Sequence, residues 1–347
     1  MKIVQAIFTA GFAGSERIAA ELCNGLAEKH DVLLLVADDC DKDPNRSILS
    51  YISPRVQVRR VPKFLRMPRV VLEVLRAKAS VYHGHLGRAV GYAKFLPGSI
   101  KRVATWHMGR PVETVGLDGV SLISEWQKTL LPSRRGRVEA RVIPNWVSEF
   151  RKPSLERVAA LRAECGFGPD DFVFGFVGRP SPRKKLATAL EAFLKWNRPD
   201  ARFLIVGAGP EVGRHAGFSA DDPRIRYLGH RPDALDLYAV MDCLVVPSRE
   251  EPFGLVAIEA MRAGCRLIVH NSHGLADIAA TNPEIDAIDT TNPDELVAAL
   301  ERAYRLRGVA PRYDMTLYAP DARVADVEAF YRDLLTARNR ARRKAMP

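Results

Sequence analysis

The chain has 347 residues, of which 47% are hydrophobic and 27% charged, a composition ordinary for a globular α/β protein and a length too great for one typical core. The net charge of +11 is uneven, because residues 1–150 contain 23 Lys and Arg against 14 Asp and Glu. No apolar run approaches the roughly 20 residues that span a bilayer, and the N-terminus shows no signal-peptide pattern. The basic first half predicts attraction to polyanions, namely nucleic acid, anionic lipid headgroups or acidic glycans.

The cysteines are odd in number and scattered, with no C-x-x-C pair: Cys23, Cys40, Cys165, Cys243 and Cys265. This pattern favours reduced cytosolic thiols over a disulfide framework or a zinc site. Their expected role is that of small buried hydrophobic residues.

The first half of the chain alternates strand and helix patterns. KIVQAIF predicts a strand, and residues 14–30 predict a helix with Ile18, Leu22 and Leu26 on one face. Further strand-like runs lie at residues 31–38, 56–61, 80–86, 102–108, 121–124 and 140–145. The alternation is typical of a parallel sheet built from βα units.

A polar segment, residues 148–158, interrupts the pattern, which then begins again. Strands are predicted at 172–179, 201–209, 224–230, 243–248 and 266–270, with helices near 186–196 and 233–241. A last helix, 321–345, has Val324, Val327, Phe330, Tyr331 and Leu334 on one face. The sequence therefore predicts two doubly wound α/β domains, whose ligands would bind beyond the carboxyl ends of the strands.

Two segments of the first half follow predicted strands. TAGFAGSER contains Gly11 and Gly14, which allow close approach of the backbone, and the next helix N-terminus favours an anion. The alternative is a plain βα turn. His107 follows another strand and is either a ligand-facing residue or a structural histidine, whereas His83 and His85 are more typical of structural residues.

Two segments of the second half carry cations or glycines. GFVGRPSPRKK places Arg179 and Lys184 after a strand, where they could bind phosphate oxygens or form a solvated basic turn. VGAGPEV lacks the third glycine of a dinucleotide-binding loop, because Val212 occupies that position. We therefore expect a tight turn there and no NAD site.

The stretch PSREEPFGLVAIEAMRAGC brings two carboxylates to the start of one short helix. Glu251 lies on the loop and Glu259 about one turn into the helix, so both can face one ligand. The backbone amides after Phe253, near Gly254, Leu255 and Val256, have no partner within the predicted helix and point outward, where they could bind a phosphate. Amides for phosphate and carboxylates for hydroxyls together fit a sugar nucleotide. Favourable interaction with the helix dipole explains Glu259 alone but not Glu251.

Glu251-Pro-Phe-Gly through Glu259-Ala-Met-x-Ala-Gly resembles the E-x7-E signature of retaining glycosyltransferases of the GT-B fold, family 4. GSER is similar to that family's G-G-x-E-R loop, with Ala13 replacing the first Gly. VIPNWV is similar to its I-P-N-G-V segment, with Trp146 in place of Gly. GRPSPRKK is similar to its G-R-x-x-x-x-K-G motif, with Lys185 in place of Gly. The resemblance extends over nearly the whole chain.

The resemblance implies a role for each donor-side residue. Arg179 and Lys184 would hold the donor diphosphate and stabilise the leaving nucleotide, without a metal ion. Glu259 would accept hydrogen bonds from the ribose and Glu251 from sugar hydroxyls near the reacting carbon. Backbone amides of the segment 253–255 would contact the donor.

The resemblance also implies the domain plan. Residues 1–148 would form an acceptor-side domain, in which Gly14 approaches the phosphates and His107 lines the sugar pocket. Residues 149–320 would form the nucleotide-sugar domain, facing the first across a cleft. Residues 321–347 would form a helix that crosses back onto the first domain and ends in a basic tail.

The implied activity is transfer of a hexose from a nucleotide sugar, with UDP preferred over GDP, to a glycan or lipid-linked acceptor such as lipopolysaccharide or exopolysaccharide. The segment 61–79 mixes apolar residues and cations, so it is either a core helix or a peripheral contact with an anionic membrane. The expected location is the cytoplasm, with this contact at the inner face of the cell membrane. Two other functions stay open: a nucleotide-sugar epimerase or hydrolase of the same fold, and a basic nucleic-acid-binding protein, although no nucleic-acid motif supports the latter.

Overall fold

The structure, a computed structural model, describes residues 1–43, 47–133, 138–209 and 222–344, with side chains as far as residue 337. It divides into two compact units, Met1–Trp146 with Leu317–Pro347, and Val147–Thr316. The predicted boundary after residue 148 lies two residues beyond this division. The predicted C-terminal segment, 321–347, falls within the part of the chain assigned to the first unit, and its basic tail lies outside the described side chains.

The strands and helices have the following bounds. The strands are β1 Lys2–Ile7, β2 Asp31–Ala37, β3 Gln57–Val61, β4 Val81–His85, β5 Lys101–Trp106, β6 Gly119–Leu122, β7 Glu139–Val142, β8 Phe172–Val177, β9 Ala201–Val206, β10 Ile225–Gly229, β11 Cys243–Val246, β12 Arg266–His270 and β13 Asp286–Ile288. The helices are α1 Gly14–Ala27, α2 Arg66–Arg76, α3 Leu86–Tyr92, α4 Leu155–Cys165, α5 Leu186–Trp196, α6 Ala234–Leu237, α7 Leu255–Ala263, α8 His273–Thr281, α9 Pro293–Arg305 and α10 Pro320–Lys344.

The first unit is built on a parallel sheet with the order β3-β2-β1-β4-β5-β6-β7. Its central strands are buried on both faces, which explains their nearly continuous apolar sequences. Ile18, Leu22 and Leu26 of α1 are buried, so the predicted apolar face of this helix is confirmed.

The last helix, α10, belongs to the first unit although residues 143–319 separate it from β7. Its predicted apolar face is buried at Val327, Phe330, Tyr331 and Leu334. A Cβ at Gly119 of β6 would lie 2.7 Å from side-chain atoms of both Phe330 and Leu334. The strand therefore needs a glycine here for the helix to pack closely on it.

The second unit has a parallel sheet with the order β10-β9-β8-β11-β12-β13. Phe172, Phe174 and Phe176 of β8 are buried in its core with residues of α5 and α9. The expected helix at 233–241 is shorter than predicted: α6 covers Ala234–Leu237 and a 3-10 turn follows. The two doubly wound parallel sheets that the sequence predicts are thus present.

The described part of the chain contains no helix that combines the length and the apolar character required to cross a bilayer. The five cysteines are buried and free, as their scattered positions predict. Desolvation raises the pKa of the Cys23 thiol, a shift that disfavours the reactive thiolate.

Candidate functional site

The second sheet reverses its strand order between β8 and β11, which are neighbours although two strands separate them in sequence. In open α/β sheets, ligands bind beyond the carboxyl ends of the strands at this kind of reversal. The loops that follow β8 and β11 contain Arg179, Lys184 and Glu251. The topology therefore brings together two segments that the sequence singled out separately.

The loop after β8 presents two cations in different ways. The side chain of Arg179 is exposed, whereas Lys184 ends a short 3-10 turn, Pro182–Lys184, and is partly buried. Lys185 follows with φ 53° and ψ 34°, in the left-handed region, and α5 begins at the next residue. The sharp change of backbone direction at residue 185 turns the chain from the loop into the helix.

Lys184 forms an ion pair with Glu251 of the β11 loop. The exposed fractions of the two side chains are 27% and 14%, so water is partly excluded from the pair. The residues lie 67 positions apart in sequence and meet because β8 and β11 are adjacent. The ion pair holds the ammonium beside the carboxylate at the carboxyl edge of the sheet.

Helix α8 supports the loop that carries Glu251. The backbone amide of Gly274 donates to the carbonyl of Glu251 at 3.1 Å, and the hydroxyl of Ser272 donates to the carbonyl of Arg249 at 2.9 Å. A Cβ at Gly274 would lie 2.5 Å from the Cα of Phe253, so the helix start touches the loop backbone directly. Phe253 itself is buried, with 5% of its surface exposed.

Helix α7 begins after Gly254, which has φ +107°, a conformation that disfavours other residues. Leu255 is the first helical residue, and Gly264 ends the helix with φ +91°, as predicted. Glu259 lies in the fifth position of α7 and accepts a hydrogen bond from the hydroxyl of Tyr238 at 2.8 Å. Tyr238 was not anticipated from the sequence, since it lies in a turn with no motif of its own.

The glycine-rich turn after β9 packs against the loop after β8. A Cβ at Gly207 would collide with the backbone carbonyl of Gly178, and one at Gly209 would lie 2.5 Å from the carbonyl oxygen of Pro180. This agrees with the tight turn and close backbone approach expected for VGAG. Val212 lies outside the described residues.

In the first unit, Gly14 is the first residue of α1. The carboxylate of Glu16 accepts hydrogen bonds from the amide of Ala13 at 3.1 Å and from the hydroxyl of Ser15 at 2.9 Å. Glu16 is only 4% exposed. The helix start that was considered for an anion therefore already carries a buried carboxylate, whose signal in the sequence is the Glu in the third position of the helix.

His107 follows β5 and is partly exposed. Its Nε2 lies 3.1 Å from the Nδ1 of His85, which is fully buried at the end of β4. Desolvation lowers the pKa of His107 to about 4, so the imidazole is neutral near pH 7. His83 and His85 are buried and hydrogen-bonded, as expected of structural histidines.

The described residues contain no group of three or more His, Cys, Asp or Glu arranged to hold a metal ion.

The residues predicted for the donor side occupy one unit: Lys184 and Glu251 in direct contact, Arg179 in the loop before Lys184, and Glu259 on the helix after Glu251. Gly14 and His107 lie in the other unit, each after a strand of its sheet.

Residues 171–305 match the family described as "Glycosyl transferases group 1". This segment is therefore similar to group 1 glycosyl transferases, over less than half of the chain. The match covers β8 to α9 and includes Arg179, Lys184, Glu251 and Glu259.

Curated relatives match part of the chain. The D-inositol 3-phosphate glycosyltransferase of Rhodococcus jostii is 34% identical over 181 residues, which are 45% of this chain and 39% of that protein. The uncharacterized glycosyltransferase YqgM of Bacillus subtilis is 32% identical over 189 residues, 48% of this chain and 52% of that protein. The chain thus spans about half or less of the length of these relatives.

Solved structures match over nearly the full chain. Anabaena HepE in complex with UDP has a TM-score of 0.72 and 16% identity, with 99% of each chain covered. The sucrose-phosphate synthase of Thermosynechococcus elongatus has a TM-score of 0.76 and 19% identity, with 97% of this chain and 100% of that chain covered. At these identities the likeness concerns the fold, and it confirms the predicted GT-B fold of two Rossmann-like units.

Proposed function

We propose that this protein is a retaining glycosyltransferase that transfers a hexose from a nucleotide sugar to a glycan or lipid-linked acceptor. The observation that carries the proposal is the contact between Lys184 and Glu251, inside a segment that matches group 1 glycosyl transferases. Structures of this fold include one with UDP and one with UDP-glucose, which supports a UDP-hexose as donor in preference to a GDP-hexose.

The two cations of the β8 loop supply positive charge for the diphosphate. The ammonium of Lys184 has three N–H groups, so it can keep Glu251 with one and donate to phosphate oxygens with the others. The exposed guanidinium of Arg179 offers a planar fork for a second phosphate. As the nucleotide leaves, these groups stabilise the negative charge that develops on it, and no protein-bound metal ion is needed for that role.

The carboxylates bind hydroxyl groups on the two sugars of the donor. In this proposal Glu259, oriented by Tyr238, accepts from the ribose, and Glu251, oriented by Lys184, accepts from the hexose. The amides of residues 253–255 at the start of α7 add backbone donors. In the first unit, His107 accepts from a sugar hydroxyl, and Gly14 lets the backbone come near a phosphate beside a helix start whose Ala13 amide is already bonded to Glu16.

Thermal shift and calorimetric titration with UDP-, GDP- and ADP-glucose test the donor assignment. We expect UDP-glucose to bind, and Lys184→Ala to weaken binding about 10- to 100-fold, because a charge-assisted hydrogen bond contributes roughly 1.5–3 kcal/mol. Glu259→Ala should weaken UDP-glucose and UDP alike. Lys185→Ala, which removes the neighbouring exposed charge, is the matched control and should change the affinity less than threefold.

The other functions give different results in the same experiments. Absence of binding by any nucleotide sugar, together with salt-sensitive binding of nucleic acid, would overturn the proposal in favour of a nucleic-acid-binding protein. Release of an isomerised or free sugar that continues at the same rate when glycan acceptors are added would identify an epimerase or hydrolase.

The acceptor proposal rests on the surface of the first unit. Residues 51–110 contain 13 Lys or Arg and one acidic residue, Glu73. Around α2, apolar side chains are exposed: Phe64 78%, Leu65 54%, Leu72 44% and Leu75 48%. Cations are exposed among them: Lys63, Arg69 and Arg76. Such a surface fits the headgroup region of an anionic membrane, where a lipid-linked acceptor resides.

Co-sedimentation with vesicles tests this surface. We expect binding to vesicles that contain phosphatidylglycerol at low salt, loss of binding at high salt, and little binding to phosphatidylcholine alone. The double variant Phe64→Ser, Leu72→Ser should bind at least several-fold less. Leu155→Ser, which removes an apolar residue that is 85% exposed in the second unit, is the control. If the wild type ignores anionic vesicles at low salt, the membrane proposal is wrong.

A further inference from the structure

A continuous chain of hydrogen bonds connects α10 to His107 through the interior of the first unit. The amide nitrogen of Gln5 donates to the hydroxyl of Tyr331 at 3.0 Å, and the amide oxygen of Gln5 lies 2.8 Å from Nε2 of His85. Nδ1 of His85 lies 3.1 Å from Nε2 of His107. Gln5 and His85 are fully buried and Tyr331 is 0% exposed, so water does not compete for these contacts.

The strand register explains why these side chains meet. Gln5 is paired with His83 and Ile7 with His85 in the β1–β4 ladder, so Gln5, His83 and His85 point to one face of the sheet. Helix α10 covers that face and places Tyr331 against both Gln5 and His83. His107 comes one residue after β5, which is the next strand along, and its ring lies 5.4 Å from that of His85.

The chain has one direction when it is followed proton by proton. Because the oxygen of Gln5 can only accept, Nε2 of His85 carries the proton and donates to it. Burial lowers the pKa of His85 well below its ordinary value, so the ring is neutral and its Nδ1 is an acceptor. His107 must then donate from Nε2, which leaves the lone pair of the neutral ring on Nδ1.

A side branch satisfies the remaining groups. The hydroxyl of Tyr331 accepts from Gln5 and donates its own proton to Nδ1 of His83. Nε2 of His83 then donates to the hydroxyl of Thr105 at 2.8 Å. All these directions follow from the orientation of the Gln5 amide, whose nitrogen faces Tyr331 and whose oxygen faces His85; the opposite orientation would reverse every proton in the chain.

We propose that Tyr331, Gln5 and His85 are positioning residues that hold His107 in the tautomer protonated at Nε2, so that its Nδ1 accepts a hydrogen bond from a hydroxyl of the bound sugar. This inference rests on the proposed function for the identity of the ligand, but not for the tautomer. It gives the returning helix α10 a part in substrate recognition in addition to its part in packing. An apolar residue at position 331 would pack in the same space without a hydroxyl to hold Gln5 and His83.

The direct test is the tautomer of His107 in the full chain labelled with ¹⁵N-histidine. Two-bond proton–nitrogen spectra distinguish a protonated ring nitrogen from one with a lone pair, and the His107 signals are assigned by their loss in His107→Gln. We expect the wild type to carry the proton on Nε2. Tyr331→Phe and Gln5→Met, which break the chain at different points, should each shift the population toward the proton on Nδ1.

The matched control is Tyr82→Phe. Tyr82 is also fully buried in the first unit, and its hydroxyl donates to the carbonyl of Ala89 at 2.7 Å, outside the chain. The Tyr82→Phe variant loses a comparable hydrogen bond and should leave the His107 tautomer unchanged. A wild type with the proton on Nδ1, or broken-chain variants with an unchanged tautomer, would overturn the inference.

A second readout connects the tautomer to recognition. Tyr331→Phe should weaken UDP-glucose about fivefold, the value of one ordinary hydrogen bond, and leave UDP unchanged, since His107 contacts the sugar only. Equal weakening of both ligands, or of neither, contradicts the positioning role. If neither ligand binds the wild type, the proposed function is wrong, and the tautomer measurement still decides this inference.

Discussion

The pair of Lys184 and Glu251 illustrates what a single partly buried contact can do. An ion pair at this level of exposure contributes modestly to stability, about 1 kcal/mol or less. Its consequence is mainly geometric, because each side chain restricts the rotamers of the other at the edge of the sheet. The ammonium also offsets the charge of Glu251, which would otherwise repel an approaching phosphate.

The backbone of Lys185 is strained. The only sign of this strain in the sequence is that the similar G-R-x-x-x-x-K-G motif has glycine at this position. Its φ of 53° and ψ of 34° place a side chain in the left-handed region. Glycine adopts that conformation without a clash, so we predict that Lys185→Gly raises the free energy of unfolding of the second unit by about 1 kcal/mol.

Urea unfolding measured with a probe in the second unit checks this prediction. Lys185→Ala is the matched control, since it removes the same charge but keeps the Cβ and therefore the strain. Equal effects of the two substitutions would show that charge rather than backbone conformation is responsible.

At the scale of elements, the site of the second unit depends on how α8 abuts the loop after β11. Its second residue is glycine because the loop backbone occupies the space that a side chain would need. The loop between β11 and α7 is thus shaped by α8, a helix that comes later in the chain. The loop geometry belongs to the packing of these elements as much as to its own Pro and Gly.

Gly274→Ala should therefore disturb the loop. The added Cβ would lie 2.5 Å from Cα and O of Phe253, both backbone atoms, so α8 and the loop must separate. We predict a loss of roughly 1–3 kcal/mol in stability, typical of overpacking, and weaker binding of UDP-glucose as Glu251 and Phe253 move.

Thermal unfolding and calorimetry measure the two effects. Gly168→Ala is the control, because a Cβ there would meet its nearest neighbour, the Asp171 side chain, at an ordinary 3.5 Å. It should change stability by less than about 0.5 kcal/mol. A Gly274→Ala protein as stable as this control would contradict the packing argument.

At the scale of the whole molecule, the two ends of the chain fold into one unit. Leu317–Pro347 joins Met1–Trp146, and Val147–Thr316 forms the other unit. Phe330 of α10 is 2% exposed, close to Gly119, and its ring lies 4.8 Å from the guanidinium carbon of Arg141. The first unit therefore lacks part of its core until the last helix has been made.

We predict that Phe330→Ala destabilises the first unit by about 3–5 kcal/mol, the usual cost of removing a buried aromatic ring. Hydrogen exchange resolved by unit should show the loss in residues of β5 to β7 and leave β8 to β12 protected. Phe193→Ala, in the core of the second unit, should give the opposite pattern. Loss of protection in both units for either variant would show that they unfold together.

Much of this architecture was predictable because local patterns determine it. Alternating strands and amphipathic helices indicated both sheets, and the apolar face of α10 was read correctly from Val327 to Leu334. The length of α6 and the positions of the strand ends were not predictable, since they depend on neighbouring elements rather than on local propensity. Tyr238 and Glu16 were missed as site partners, although the Glu at the third position of α1 was a recognisable capping signal.

The two repeated α/β patterns and the spacing of Arg179, Lys184, Glu251 and Glu259 follow from the amino-acid sequence, because periodicity and motif spacing are properties of short segments. The contact of Lys184 with Glu251, and the link from Tyr331 to His107 through Gln5 and His85, depend on the folded arrangement of the strands and helices. These partners lie far apart in sequence, and strand order, register and helix packing bring them together. Hydrogen bonds between them require donor–acceptor distances that are correct to within a few tenths of an ångström. No local sequence pattern encodes such distances.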